Sequence, residues 1–240
     1  MGKNLEVLSK IGVLPSVKLT FPADILALAD ALSAAGVPCA EFVYNFETAQ
    51  VLNLLAEKRP DFIAGAYVHT QKEAEAAQKA GAKFITDDGV TDKHCFPGGR
   101  VALEPELLSV FDWAAVTRRV NGALLKFLDF NLRHVGINSK DDAESSATAS
   151  SFEWIFGFPK EDRGGAYFAG DIIEVMKKPF YGRHGHIAIS TANAACAARY
   201  LESRGVKLNW ASAGYNPDGH LRVVYLQDEI GGFAVHILQK

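Results

Sequence analysis

Four residues of this chain have the types and setting to do chemistry together: His134, Glu174, His186 and His236. Each sits in a short apolar run of strand character, His134-Val-Gly-Ile, Ile173-Glu174-Val-Met, His186-Ile-Ala-Ile and Val235-His236-Ile-Leu. Imidazole and carboxylate groups are ligands of zinc, nickel, iron and manganese. Strand alternation puts His134 on one face with Gly136 and Asn138, Glu174 with Ile172 and Met176, and His236 with Ala234 and Leu238. Polar groups buried without partners cost several kcal/mol. A shared divalent ion at the centre of a curled sheet would satisfy all four.

The elements that must position them form an internal repeat. His134–Asn138 matches His186–Ser190, and each is followed by a helical stretch, Asp141–Phe156 and Asn193–Ser203. Gly170–Lys178 then matches Gly232–Lys240. The second copy is longer around Gly214–His220, where Asp218-Gly219 signals a hairpin. Neither copy is large enough to bury a core alone, so the two are expected to pair into one domain, residues 129–240.

These strands resemble the metal-bearing strands of the vicinal-oxygen-chelate superfamily, which includes glyoxalase I, over about residues 130–240. The resemblance implies paired βαβββ modules and an eight-stranded cup around one divalent ion. The bacterial glyoxalase I pattern has a glutamate where this chain has His236. That departure removes the group implicated in moving the substrate proton.

Residues 1–128 follow a different grammar. Strand candidates at Val13–Leu19, Cys39–Tyr44, Phe62–Val68 and Lys83–Thr86 alternate with helix candidates at Ala23–Ala35, Glu47–Lys58 and Gln71–Ala80. A last unit runs from Cys95 through Gly98-Gly99 into a helix around Leu107–Phe127. Such alternation predicts a parallel sheet. The fold class is therefore α/β, with a partial (βα) barrel of about five units before the paired modules. A closed eight-fold barrel takes roughly 200 residues or more.

Residues 5–90 resemble the class I aldolases that cleave 2-keto-3-deoxy-6-phosphogluconate and 4-hydroxy-2-oxoglutarate. The resemblance rests on Val13-Leu-Pro-Ser-Val, Cys39-Ala-Glu41-Phe-Val, Phe62-Ile-Ala-Gly65-Ala66 and Ala80-Gly-Ala-Lys-Phe-Ile. It implies that Glu41 occupies the family's general acid/base position. The Lys-Phe-Phe-Pro strand that carries the family's Schiff-base lysine has no counterpart here, and Asn45 stands where the family has an arginine. Lys18 and Lys83 are the candidate substitutes, although solvated or ion-paired roles are the ordinary expectation for lysines. Asp87-Asp88-Gly89 reads as a turn, Gly98-Gly99-Arg100 as a turn or an anion cradle, and His94 and Cys95 form no catalytic pair.

The 240 residues carry a net charge of −3, with no basic stripe and no apolar run of membrane-spanning length. Nucleic acid and membrane partners are not expected. Three cysteines without a CxxC spacing argue against a disulfide scaffold. With no hydrophobic signal core at the start, a cytoplasmic location is the expectation. Open sheet edges favour a homo-oligomer, most economically a dimer. The functional expectation is a metal-dependent lyase or isomerase acting on a small anionic metabolite, a 2-oxo acid or sugar acid. Trp210, Tyr215 and Arg222 are candidates for the rim. The alternatives are a metabolite-binding or dimerisation scaffold and retained aldolase activity.

Overall fold

The computed structural model describes residues 2–19, 24–87 and 96–240. They divide into two compact units, Met1–Phe127 and Leu128–Lys240.

The first unit opens with α1 (Gly2–Ile11), an element the sequence reading did not assign. Its Leu8 and Ile11, one turn apart, are buried. There follow β1 (Leu14–Val17), α2 (Ile25–Ala34), β2 (Cys39–Val43), α3 (Thr48–Lys58), β3 (Ile63–Tyr67), α4 (Gln71–Lys79) and β4 (Phe84–Thr86). Local chemistry sets the helix starts. The Asp24 side chain accepts from the Ala27 N–H at 3.0 Å, and Thr70 with Glu73 forms a capping box. The unit closes with β5 (Arg100–Leu103), α5 (Pro105–Ser109) and α6 (Trp113–Leu128).

The expected single helix at Leu107–Phe127 is thus two. Phe111 takes a left-handed φ of 53°, and the Asp112 side chain accepts from the Ala115 N–H at 2.9 Å, starting a new helix. The strand of the last unit spans Arg100–Leu103, after Gly98-Gly99. Cys95, His94, Asp88 and Gly89 lie outside the described residues.

The five strands form one parallel sheet in the order β4-β3-β2-β1-β5. Glu41 stands beside Ser16 on one side and Gly65 on the other, and Gly65 stands beside Phe84. Gly65 must be glycine, because a Cβ there would come within 2.4 Å of the Phe84 ring. Among the described residues, β4 and β5 are the edges of this sheet.

The second unit contains β6 (Asn131–Asn138), α7 (Asp142–Phe156), β7 (Lys160–Asp162), β8 (Ala166–Ala169) and β9 (Ile173–Met176). The same pattern recurs in β10 (His186–Thr191), α8 (Ala194–Ser203), β11 (Leu208–Tyr215), β12 (Leu221–Leu226) and β13 (Ala234–Gln239). These are two βαβββ modules with matching helix caps. Asp141 accepts from the Glu144 N–H at 2.8 Å, and Asn193 from the Cys196 N–H at 2.9 Å. The expected hairpin joins β11 to β12, with the Asn216 N–H donating to His220 O at 2.8 Å.

The modules merge into one eight-stranded sheet, β11-β12-β13-β10-β6-β9-β8-β7. The seam between them is the antiparallel pair β10 and β6. Within each module the first and last strands run parallel, β6 with β9 and β10 with β13. This is the pairing of two like modules that the internal repeat implies. Among the described residues, no helix is long and apolar enough to cross a membrane.

Candidate metal centre

Register across the central strands brings the four residues of the repeat together. In one row Tyr225 of β12 faces His236 of β13, His236 faces Ala188 of β10, and Ala188 faces His134 of β6. In the next row Phe168 of β8 faces Glu174 of β9, Glu174 faces Gly136 of β6, and Gly136 faces His186 of β10. The rows are related by the repeat. Each histidine of the central pair stands opposite a small residue, and that leaves room for its ring.

Three donor atoms converge. His134 Nε2 and His186 Nε2 are 3.2 Å apart, and Glu174 Oε2 lies 3.0 Å from each. His134, Glu174 and His186 together present one ligand atom each, all within 4.8 Å of one another. His236 stands beside this group and outside it. Its ring centroid is 5.3 Å from that of His186 and 5.5 Å from that of His134. The sequence equivalence of four residues therefore becomes three clustered donors and a neighbouring imidazole.

The cluster fits a divalent ion. Ligand atoms at bond lengths of about 2.0–2.1 Å around an octahedral or tetrahedral ion lie about 2.8–3.4 Å apart. The observed separations of 3.0–3.2 Å fall in that range. The Nδ1 atoms of His186 and His236, on the other side of each ring from Nε2, are buried with no hydrogen-bond partner among the described residues. Two imidazoles and one carboxylate are a ligand set that zinc, nickel, iron and manganese all accept.

The electrostatics keep Glu174 ionised and His236 neutral. Burial pushes the Glu174 carboxyl up, but hydrogen bonds and charge from His134 and His186 outweigh it and hold the group at about 2. Burial pushes His236 down, the imidazoles of His186 and His134 push the same way, and it falls to about 3 despite Glu174. His236 is thus neutral near pH 7. Burial, followed by the charge of Glu174 and the proximity of Tyr181, raises the Tyr225 hydroxyl above its ordinary range.

Aromatic rings surround the histidines. Phe168 lies 6.0 Å from His134, Phe180 6.4 Å from His186, and Tyr225 4.5 Å from His236. None of these was singled out in the sequence. Phe168 and Tyr225 are repeat-equivalent in register, but the longer connection before β13 hides that in the spacing. The candidates for the rim have these surroundings. The Trp210 indole donates to Glu202 of α8 at 3.0 Å, and Tyr215 and Arg222 are exposed.

In the first unit, Glu41 is fully buried and accepts from Thr86 Oγ1 at 2.6 Å and Arg100 Nε at 2.8 Å. Its carboxylate is occupied by these partners, and Arg100 is turned to Glu41 rather than to an anion cradle. Lys18 is exposed. The Lys83 ammonium donates to the carbonyls of Phe62, at 2.9 Å, and Pro60. Asn45 Oδ1 accepts from the Glu47 N–H at 2.9 Å, and its Nδ2 donates to Leu19 O at 3.1 Å.

Residues 5–104 match the family model described as KDPG and KHG aldolase. The 2-dehydro-3-deoxy-phosphogluconate aldolase of Haemophilus influenzae is 35% identical over 91 residues, covering 37% of this chain and 43% of that protein. The Pseudomonas aeruginosa protein of the same name is 39% identical over 85 residues, covering 34% and 38%. The chain thus spans less than half the length of these curated relatives. The crystal structure of methylmalonyl-CoA epimerase from Mycobacterium tuberculosis aligns with TM-score 0.33 at 16% identity, over 47% of this chain and 89% of that one.

Proposed function

We propose that the second unit binds one divalent metal ion through His134, Glu174 and His186, with His236 alongside, and acts as a metal-dependent lyase or isomerase on a small anionic 2-oxo acid. The observation that carries this reading is the convergence of three donor atoms at 3.0–3.2 Å on the seam of the two modules. A bound divalent ion would supply Lewis-acid stabilisation of negative charge on a ligand oxygen.

The chain's own residues have definable parts in this. Glu174 contributes one negative charge and the neutral imidazoles none, so the loaded site keeps a net positive charge that favours an anionic ligand. Gly136 leaves the space that the His186 ring occupies. His236, held neutral, is available to accept a hydrogen bond from a ligand.

Elemental analysis of the purified chain and of a Glu174→Ala/His186→Ala variant tests the reading. About one transition metal per chain, lost in the variant, is the expected result. No metal after reconstitution with zinc, nickel, manganese and iron would sink it, and a metabolite-binding or dimerisation scaffold would lead instead.

A second reading is favoured by the family match over residues 5–104: Schiff-base aldolase activity in the first unit. Against it stand the missing Lys-Phe-Phe-Pro segment and the engagement of Glu41 and Lys83 in the fold. Borohydride trapping with pyruvate decides, since only an imine-forming lysine becomes covalently labelled. A homodimer pairing at the sheet edges β4 or β5 is part of the proposal. Light scattering that reports a monomer at high concentration would remove that part.

A further inference from the structure

The second unit holds an aromatic surface whose position is set by β6, the strand that carries His134. Phe180 and Tyr181 lie on the segment between β9 and β10, with ring centroids 4.6 Å apart, and Tyr181 is 4.8 Å from Tyr225. They are 44% and 45% exposed, so their rings are not part of the core. Yet their backbone is pinned. The Phe180 N–H donates to Asn138 Oδ1 at 3.2 Å, while Asn138 Nδ2 donates to the carbonyls of Phe180 at 3.2 Å and Gly182 at 2.9 Å. Asn138 shares a face of β6 with His134 and Gly136. The strand that bears a donor therefore also fixes the aromatic pair.

Half-exposed rings held in place lose little freedom when something stacks on them, and this is the condition for binding a planar apolar group. Two of the nearby cations are committed elsewhere. Arg163 lies 4.3 Å over Phe168 and pairs with Glu161 at 2.7 Å and Asp171 at 2.9 Å. Lys177 pairs with Asp162 at 2.8 Å and Asp142 at 3.4 Å. Neither is available for a second anionic group on a ligand.

We infer that the ligand of this centre is a 2-oxo acid with an aromatic substituent, its oxygens toward the His134–Glu174–His186 group and its ring against Phe180, Tyr181 and Tyr225. The inference rests on the metal-centre reading above. It sets this ligand apart from the phosphorylated sugar acid in the names of the aldolase relatives.

Calorimetric titration of the full chain loaded with nickel tests it, with phenylpyruvate, pyruvate and 6-phosphogluconate as probes and metal content measured on the same sample. Phenylpyruvate should bind about tenfold more tightly than pyruvate, the size of one good aromatic contact. Tyr181→Ala should reduce that preference to about threefold or less, and Tyr181→Phe should keep it, with nickel content unchanged in both. Tyr181 is half-exposed, so neither substitution opens the core. Equal binding of pyruvate and phenylpyruvate, or tightest binding of 6-phosphogluconate, by a nickel-loaded chain overturns this inference alone. A chain that takes up no nickel overturns the metal reading and this inference with it.

Discussion

Gly136 stands directly opposite His186 across the seam of the two modules, and a Cβ at Gly136 would fall 2.0 Å from the imidazole Cε1. The absence of one methyl group therefore decides whether the His186 ring can lie beside Glu174. Ala188, the repeat equivalent of Gly136, tolerates its Cβ between His134 and His236.

Gly136→Ala is expected to displace the His186 ring and to weaken nickel or zinc binding at least tenfold, with a stability loss of about 1–3 kcal/mol from overpacking. Calorimetric metal titration and urea unfolding measure the two effects separately. Unchanged metal affinity would mean that His186 is not a ligand.

In the first unit, Arg100→Met leaves the buried Glu41 carboxylate without its charged partner. A loss of about 3 kcal/mol in urea unfolding follows, because an uncompensated buried charge is costly. Adding Glu41→Gln to the same chain should recover a large part of it. A double variant no more stable than the single one would show that the pair is not coupled.

Removing the Asn138 side chain releases three hydrogen bonds to the segment that carries Phe180 and Tyr181. Trypsin should then cut after Arg183 about tenfold faster in Asn138→Ala than in the parent chain, by the net worth of those bonds. Equal cleavage rates would show that other contacts hold the segment.

Burial pushes the Cys196 thiol up to about 12, against a smaller opposing effect of Arg199. A raised thiol stays protonated as pH rises, so raising the pH from about 7 to about 9 should not expose a thiolate there. Iodoacetamide with peptide mapping should leave Cys196 unlabelled in the folded chain across that range and label it in guanidinium. Labelling of the folded chain near pH 8 would contradict the burial.

Much of the architecture was legible in the chain itself because it is written in local periodicity. Alternation of short apolar runs with helical stretches announced the parallel sheet of the first unit. The match of His134–Asn138 with His186–Ser190 announced two like modules, down to the equivalent helix caps Asp141 and Asn193. Strand parity placed each of His134, Glu174 and His236 on a definite face. The turn at Phe111 was not legible, since the apolar pattern runs through it unbroken.

What only the tertiary structure decided was register between strands far apart in sequence. The offset of β6 against β10 sets His134 and His186 on adjacent rows with their Nε2 atoms 3.2 Å apart, and leaves His236 beside the cluster rather than in it. The same pairing gave Gly136 its reason and brought Phe168 and Tyr225 into equivalent places that their spacing concealed. In the first unit, folding alone showed that Glu41 is spent on Thr86 and Arg100. Residue type and periodicity are properties of a strand. Which atoms face one another is a property of the hydrogen-bonded pair, and it exists only once the sheet has closed on its partner.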